Sequence, residues 1–290
     1  MEVVSGNFSL LAESPVWDEQ TQTFYWVDIL NGMIHCYHTQ THEYETILVH
    51  QSVGSVCLAR SGKMMAALQN GIHFVNSDGS VELIADPEAH LPNNRFNDGK
   101  CDAAGRLWAG TMSMNGEVKT GSLYCFEDNQ NVSKKLSGIS VSNGLAWSPD
   151  NTLFYFIDTP TQSVQAFDFD ISSRKLSNGR VAINIPNEMG KPDGMTIDEE
   201  GMLWIALWGG GKITRWDPRS GKMLQQIQLP VSQVSSCTFG GPQLTDLYIT
   251  TARVGLDENS LQQEPLAGAV FVIRDCGKGM PAARFDDTVK

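Results

Sequence analysis

The chain has 290 residues with 21 Lys and Arg against 33 Asp and Glu, a formal charge of −12. With no basic run to offset it, that balance repels polyphosphates and argues against nucleic acid as a partner. The residues are 41% hydrophobic and 19% charged, which suits a sizeable core and excludes a disordered chain. The apolar run Leu203–Trp208 has six residues, seven with Met202, against about eighteen for a membrane span, so no membrane association is expected. Met1-Glu-Val-Val lacks the basic start and apolar stretch of a secretory signal. Six scattered cysteines without a Cys-x-x-Cys pair read as free thiols of a cytoplasmic protein, not as a disulfide frame.

In chain order, a first β-type run covers Glu2–Leu11. The first unit then follows, with a lead-in Glu13–Trp17 and runs Thr23–Ile29, Met33–His38 and Tyr44–His50. The second unit opens at Gly54–Leu58 and continues with Gly71–Asn76 and Val81–Asp86. The third has Asn97–Cys101, Arg106–Gly110, Ser122–Glu127 and Val132–Leu136. The fourth has Asn143–Trp147, Leu153–Ile157, Val164–Asp170 and Arg180–Ile185. The fifth has Asp193–Ile197, Leu203–Ala206, Lys212–Asp217 and Met223–Leu229. The sixth has Ser235–Phe239, Asp246–Thr250 and Ala269–Arg274, and its end, Gly277–Lys290, is short and irregular. These runs are rich in aromatic and β-branched residues and are punctuated by Gly, Asn and Asp. No capped helical pattern of 12 residues or more interrupts them.

Successive lead-ins start 41, 43, 46, 50 and 42 residues apart. A period in the forties with several short strands per unit predicts propeller blades. The expected fold is therefore all-β: a six-bladed β-propeller with four-stranded blades, occupying residues 1–290 as a single domain. The sixth unit lacks a fourth strand and Glu2–Leu11 is spare, so the N-terminal strand is predicted to close the last blade and remove two open edges. Asp102-Ala-Ala-Gly105 and Asp198-Glu-Glu-Gly201 read as type I turns between first and second strands, not as acidic sites. Gly209-Gly-Gly-Lys212 reads as a tight hairpin turn.

The first strand of each blade lines a propeller's channel, so the lead-in positions converge at one mouth. They are Glu13, Gly54, Asn97, Asn143, Asp193 and Ser235. Two carboxylates brought together there repel unless a cation lies between them. All six histidines precede residue 91, and no His or Cys opens a lead-in. An all-oxygen donor set suits Ca²⁺, Mg²⁺ or Mn²⁺, with Zn²⁺ held less selectively. Long loops, 87–96, 112–120, 186–192 and 254–265, are expected at the same mouth. They carry Arg95, Asn93, Asn94, Glu117 and Lys119, polar groups for a small, oxygen-rich ligand. No Gly-x-Ser-x-Gly nucleophile and no phosphate-cradling loop opening a helix is present.

The motifs Glu13-Ser-Pro-Val-Trp17, Arg95-Phe-Asn-Asp-Gly-Lys100, Gly110-Thr-Met112, Ser142-Asn-Gly-Leu145, Phe156-Ile-Asp158, Pro192-Asp-Gly-Met195 and Asp246-Leu-Tyr-Ile-Thr-Thr-Ala-Arg253 occur in this order. With them the chain resembles the SMP-30/gluconolactonase/regucalcin-like family. The resemblance implies one divalent cation and hydrolysis of a sugar (aldono-) lactone such as gluconolactone. It places the metal ligands on Glu13, Asn143 and Asp193, and the substrate contacts on Arg95, Asn97 and Glu117. It makes Asp193 the catalytic base as well as a ligand. The partner expected is a small sugar lactone, and the chain is expected to be a monomer. The alternative carried by the same family is a calcium-binding regulatory protein without turnover. A propeller used only as an interaction scaffold has no use for the ring of oxygens.

Overall fold

A computed structural model describes the chain except for residues 5, 7, 128–130, 289 and 290. The strands are β1 (Glu2–Val3), β2 (Ala12–Asp18), β3 (Thr23–Asp28), β4 (Met33–His38), β5 (Tyr44–Leu48), β6 (Val53–Leu58), β7 (Met64–Leu68), β8 (Gly71–Val75) and β9 (Val81–Ala85). They continue as β10 (Asn94–Cys101), β11 (Leu107–Ser113), β12 (Gly121–Phe126), β13 (Val132–Ile139), β14 (Ser142–Trp147), β15 (Leu153–Asp158), β16 (Ser163–Asp170) and β17 (Lys175–Asn184). The last are β18 (Lys191–Ile197), β19 (Leu203–Trp208), β20 (Lys212–Asp217), β21 (Lys222–Gln228), β22 (Val234–Gly240), β23 (Asp246–Thr251) and β24 (Phe271–Ile273). They form six four-stranded antiparallel sheets, five of them built from consecutive strands. Inner strands β2, β6, β10, β14, β18 and β22 adjoin one another around a ring that closes from β22 back to β2. The protein is a six-bladed β-propeller.

The sixth sheet runs β22-β23-β24-β1, so the N-terminal strand closes the last blade, as the repeat count requires. The strand itself is brief: Glu2 faces Val272 and Val3 faces Phe271. Val4 N–H then donates to Val270 C=O at 2.8 Å and Ser9 N–H to Gly268 C=O at 2.9 Å. Residues 5 and 7 of the expected run lie outside the described residues. A six-residue helix, α1 (Glu258–Gln263), is capped by Asp257, whose side chain accepts from Ser260 N–H. Among the described residues no helix is long and apolar enough to cross a membrane.

Each sheet is covered on both faces, and the core divides into six apolar clusters lying between neighbouring blades. The cluster between the last blade and the first holds Trp17, Phe24, Trp26, Tyr248 and Val272. There Phe24 stacks on Tyr248 with centroids 4.6 Å apart. Aromatic burial of this kind contributes to sealing the ring. All six cysteines are free and five are buried.

The two acidic turns are structural. Gly105 N–H donates to Asp102 C=O and Gly201 N–H to Asp198 C=O, both at 2.9 Å. Both glycines have φ near +80°, which a side chain disfavours. Gly209 and Gly211 likewise take positive φ in the hairpin turn between β19 and β20.

The irregular C-terminal stretch crosses the far end of the ring. Gly279 N–H donates to Leu244 C=O, Phe285 N–H to Leu58 C=O, and Asp286 N–H to Gly105 C=O. Arg284 pairs with Asp18, and Phe285 is fully buried. Glu199 N–H also donates to Lys278 C=O, so the tail spans five blades and covers the channel mouth opposite the lead-ins.

Candidate functional site

All six inner strands break register at the same place. The bulges fall between Glu13 and Val16, Val53 and Ser55, Phe96 and Gly99, Asn143 and Leu145, Pro192 and Met195, and Val234 and Ser236. A bulge bends its strand and re-aims a side chain, and here each coincides with a lead-in residue. Glycine is required beside several of them by close approach. A Cβ on Gly144 would stand 2.8 Å from Asp193 C=O, and one on Gly194 would stand 2.0 Å from Ser236 Oγ. Gly54, the lead-in without an oxygen, is explained the same way: its Cβ would meet Phe96 C=O at 2.4 Å.

Four of the lead-in residues, Glu13, Asn97, Asn143 and Asp193, line one pocket of about 240 Å³, together with Arg95, Thr159 and Lys191. Leu11, Ile29, Met112, Val141 and Trp208 supply its apolar wall. Ser235 does not join them. Its hydroxyl donates to Ala12 C=O at 2.6 Å and bonds Thr250 Oγ1 at 2.9 Å. Arg95 belongs to β10, not to a loop, because pairing with β11 continues above the bulge through Asn94–Ser113 and Arg95–Met112. Glu117 is exposed in the connection after β11 and is not among the residues lining the pocket. Lys119 and Asn93 are also exposed. Asn94 is buried and braces the structure, its Nδ2 donating to Glu88 Oε2 at 2.8 Å. Glu88 also accepts from Thr111 Oγ1 and Tyr124 O–H.

The charges at the pocket floor are strongly desolvated. Burial first, then the neighbouring carboxylates of Asp193 and Asp98, pushes Glu13 well above the usual carboxylate range. Asp193 is raised too, by burial and then by Asp98. Asp98 is itself raised by burial, against the opposing pull of Lys100. Burial lowers Arg95 to about 10, so it stays cationic at neutral pH. Its Nη1 donates to Phe96 C=O at 2.9 Å and to Asn97 Oδ1 at 2.7 Å. Asn97 Nδ2 donates in turn to Ser142 C=O at 2.8 Å.

The donor set fits a hard cation. Asn143 Nδ2 donates to Thr159 Oγ1 at 3.0 Å, while the buried Asn143 Oδ1 has no hydrogen-bond partner. A buried acceptor without a partner carries a desolvation cost of about 1–3 kcal/mol. Here it lies in the same pocket as two carboxylates raised by burial and by neighbouring carboxylates. One divalent ion would satisfy all three oxygens. Among the described residues no three His, Cys, Asp or Glu side chains converge to hold a metal. A cation held by Glu13 and Asp193 would need the Asn143 amide oxygen as a further protein donor.

Residues 11–253 match the family described as the SMP-30/gluconolactonase/LRE-like region. The chain belongs to this family. The SMP-30/gluconolactonase/LRE-like region begins at Leu11 and contains every residue lining the pocket. Among its relatives, regucalcin of Bos taurus is 41% identical over 276 residues, covering 93% of this chain and 92% of the relative. Among solved structures, a luciferin-regenerating enzyme is similar with a TM-score of 0.91 and 34% identity, over 97% of both chains. A calcium-binding protein, regucalcin, from Agrobacterium tumefaciens gives a TM-score of 0.91 at 29% identity, covering 97% of this chain and 96% of its own.

Sequence reasoning missed Thr159, Lys191 and Trp208 as pocket residues. Thr159 follows β15 in a single 3₁₀ turn, and nothing in its local sequence points to Asn143. Lys191 had a readable signal, since it stands two residues before a lead-in, as Arg95 does.

Proposed function

We propose that this protein hydrolyses a sugar lactone of the aldonolactone class, gluconolactone being an example, and that it depends on one divalent cation held by Glu13, Asn143 and Asp193. The observation that carries this reading is the partnerless Asn143 Oδ1 in one pocket with two desolvated carboxylates. The family's description as gluconolactonase-like supports it. When bound, the cation supplies positive charge where the lactone carbonyl oxygen becomes negative. Asp193 takes the proton of the attacking water on a carboxylate oxygen. Arg95, already linked to Asn97, orients the sugar hydroxyls by charged hydrogen bonds. Glu117 would reach the substrate from its exposed connection.

The test is hydrolysis of five- and six-carbon aldonolactones after chelation and readdition of Ca²⁺, Mg²⁺, Mn²⁺ or Zn²⁺, with Asp193→Ala alongside. Cation-dependent turnover lost in the correctly folded variant is expected. Near-normal activity in that variant would remove Asp193 from its assigned role.

A second reading has its own support in relatives named regucalcin, one of them called calcium-binding. In that reading the protein binds calcium without turnover. It predicts cation affinity with no hydrolysis of any lactone in the panel.

A further inference from the structure

Two residues before each lead-in stands a second tier, Leu11, Ser52, Arg95, Val141, Lys191 and Gln233, of which Arg95 and Lys191 lie within β10 and β18 and the others immediately precede their inner strands. The earlier residue lies nearer the mouth. Leu11, Arg95, Val141 and Lys191 of this tier all line the pocket. The tier contains two cations and no acid, and both cations share the pocket with two carboxylates and two carboxamides.

The two cations differ in their commitments. Arg95 is buried and donates to Asn97 and to its own strand. Lys191 is exposed at the rim, paired across the ladder with Trp208. Its ammonium enters no ion pair among the described residues, although acids outnumber bases by 33 to 21. With a divalent ion on the floor, the two carboxylates there are neutralised. The upper tier then presents unopposed positive charge to whatever enters.

We propose that Lys191 determines specificity in this pocket and that the substrate is a lactone carrying a free carboxylate, as a sugar acid oxidised at both ends would form. This rests on the lactonase reading above. The lactone carbonyl lies at the floor, and the carboxylate at the far side of the ring meets the Lys191 ammonium. In the reaction the water oxygen bonds to the carbonyl carbon and the bond from that carbon to the ring oxygen breaks. The ring oxygen leaves with a proton as a hydroxyl, and the new acid ionises. A monoanion thus becomes a dianion plus one proton, with no other reactant.

The experiment compares kcat/KM for the monolactone of a six-carbon aldaric acid with kcat/KM for gluconolactone, in the wild type and in Lys191→Met, Lys191→Arg and Lys191→Glu. The wild type should prefer the carboxylated lactone. Lys191→Met should lower the ratio of the two values roughly tenfold, in keeping with one charged hydrogen bond. Lys191→Arg should keep most of the preference and Lys191→Glu should lower the ratio further. Added salt should narrow the preference, because the rim is exposed. An equal ratio in the wild type and Lys191→Met, with gluconolactone still turned over, overturns the inference and leaves the lactonase reading standing. Hydrolysis of neither lactone with any cation overturns both.

Discussion

Thr159 joins Asn143 to the strand that carries Asp193: its Oγ1 accepts from Asn143 Nδ2 at 3.0 Å and donates to Pro192 C=O at 2.9 Å. One hydroxyl thus helps fix the amide whose Oδ1 is left without a hydrogen-bond partner, and ties blade four to blade five beside the candidate cation site. It touches no expected ligand oxygen itself.

Thr159→Val removes both bonds and keeps the shape. Cation affinity should fall roughly tenfold, as for other groups that orient a metal ligand, while Thr159→Ser should retain it. Calorimetric titration with Ca²⁺, alongside thermal unfolding, checks this. Unchanged affinity in Thr159→Val would show that Asn143 is held by other means.

The raised carboxylates give the cation-free protein an inverted pH dependence. Glu13 and Asp193 stand above their ordinary values of 4.5 and 3.8. Above that range the folded state therefore binds more protons than the unfolded chain. Their contribution to stability is present at low pH and is lost as pH rises through the folded values. Ca²⁺ replaces those protons, so the gain in Tm on adding it should be larger at pH 8 than at pH 5. An equal gain at both values would place the cation elsewhere.

Arg95 separates turnover from cation binding. Arg95→Lys keeps the charge but loses the planar fork, including one of the bonds to Asn97 or Phe96. Catalytic efficiency should fall about ten- to a hundred-fold, equivalent to roughly 1.5–3 kcal/mol, with cation affinity nearly intact. Parallel loss of both would assign Arg95 to the architecture of the mouth.

Asp102 is a stability residue. Its carboxylate is fully buried and accepts from Arg106 Nε at 2.7 Å, Trp108 Nε1 at 2.8 Å and the N–H of Ala104 and Arg106. Asp102→Ala leaves the Trp108 indole N–H without its partner and a largely buried guanidinium with its charge unpaired, held only by Ile171 C=O, and should cost about 3–5 kcal/mol. Denaturant unfolding of a variant with the cation bound measures this. Asp198 holds Trp204 and Arg215 in the same way, so Asp198→Ala should behave alike.

The blade count, the strand order and the closing of the last blade by the N-terminus were legible in the chain alone. Strand propensity, turn chemistry and a repeat near 45 residues are local properties, and closing the ring supplies the strand that the sixth unit lacks. The same repeat brought Glu13, Asn97, Asn143 and Asp193 into one pocket, because a single blade position maps to one height around the channel. Other features depended on atoms far apart in sequence. Ser235 turns away because Ala12 C=O and Thr250 lie within reach. Arg95 sits on a strand because a bulge lets the ladder continue. Glu117 stays exposed in the connection after β11, and the irregular tail becomes a cover because Leu58, Gly105 and Leu244 offer it backbone partners. Periodicity sets which residues share a level of the ring; which of their atoms stay free for a ligand is decided by the neighbours that the closed ring places beside them.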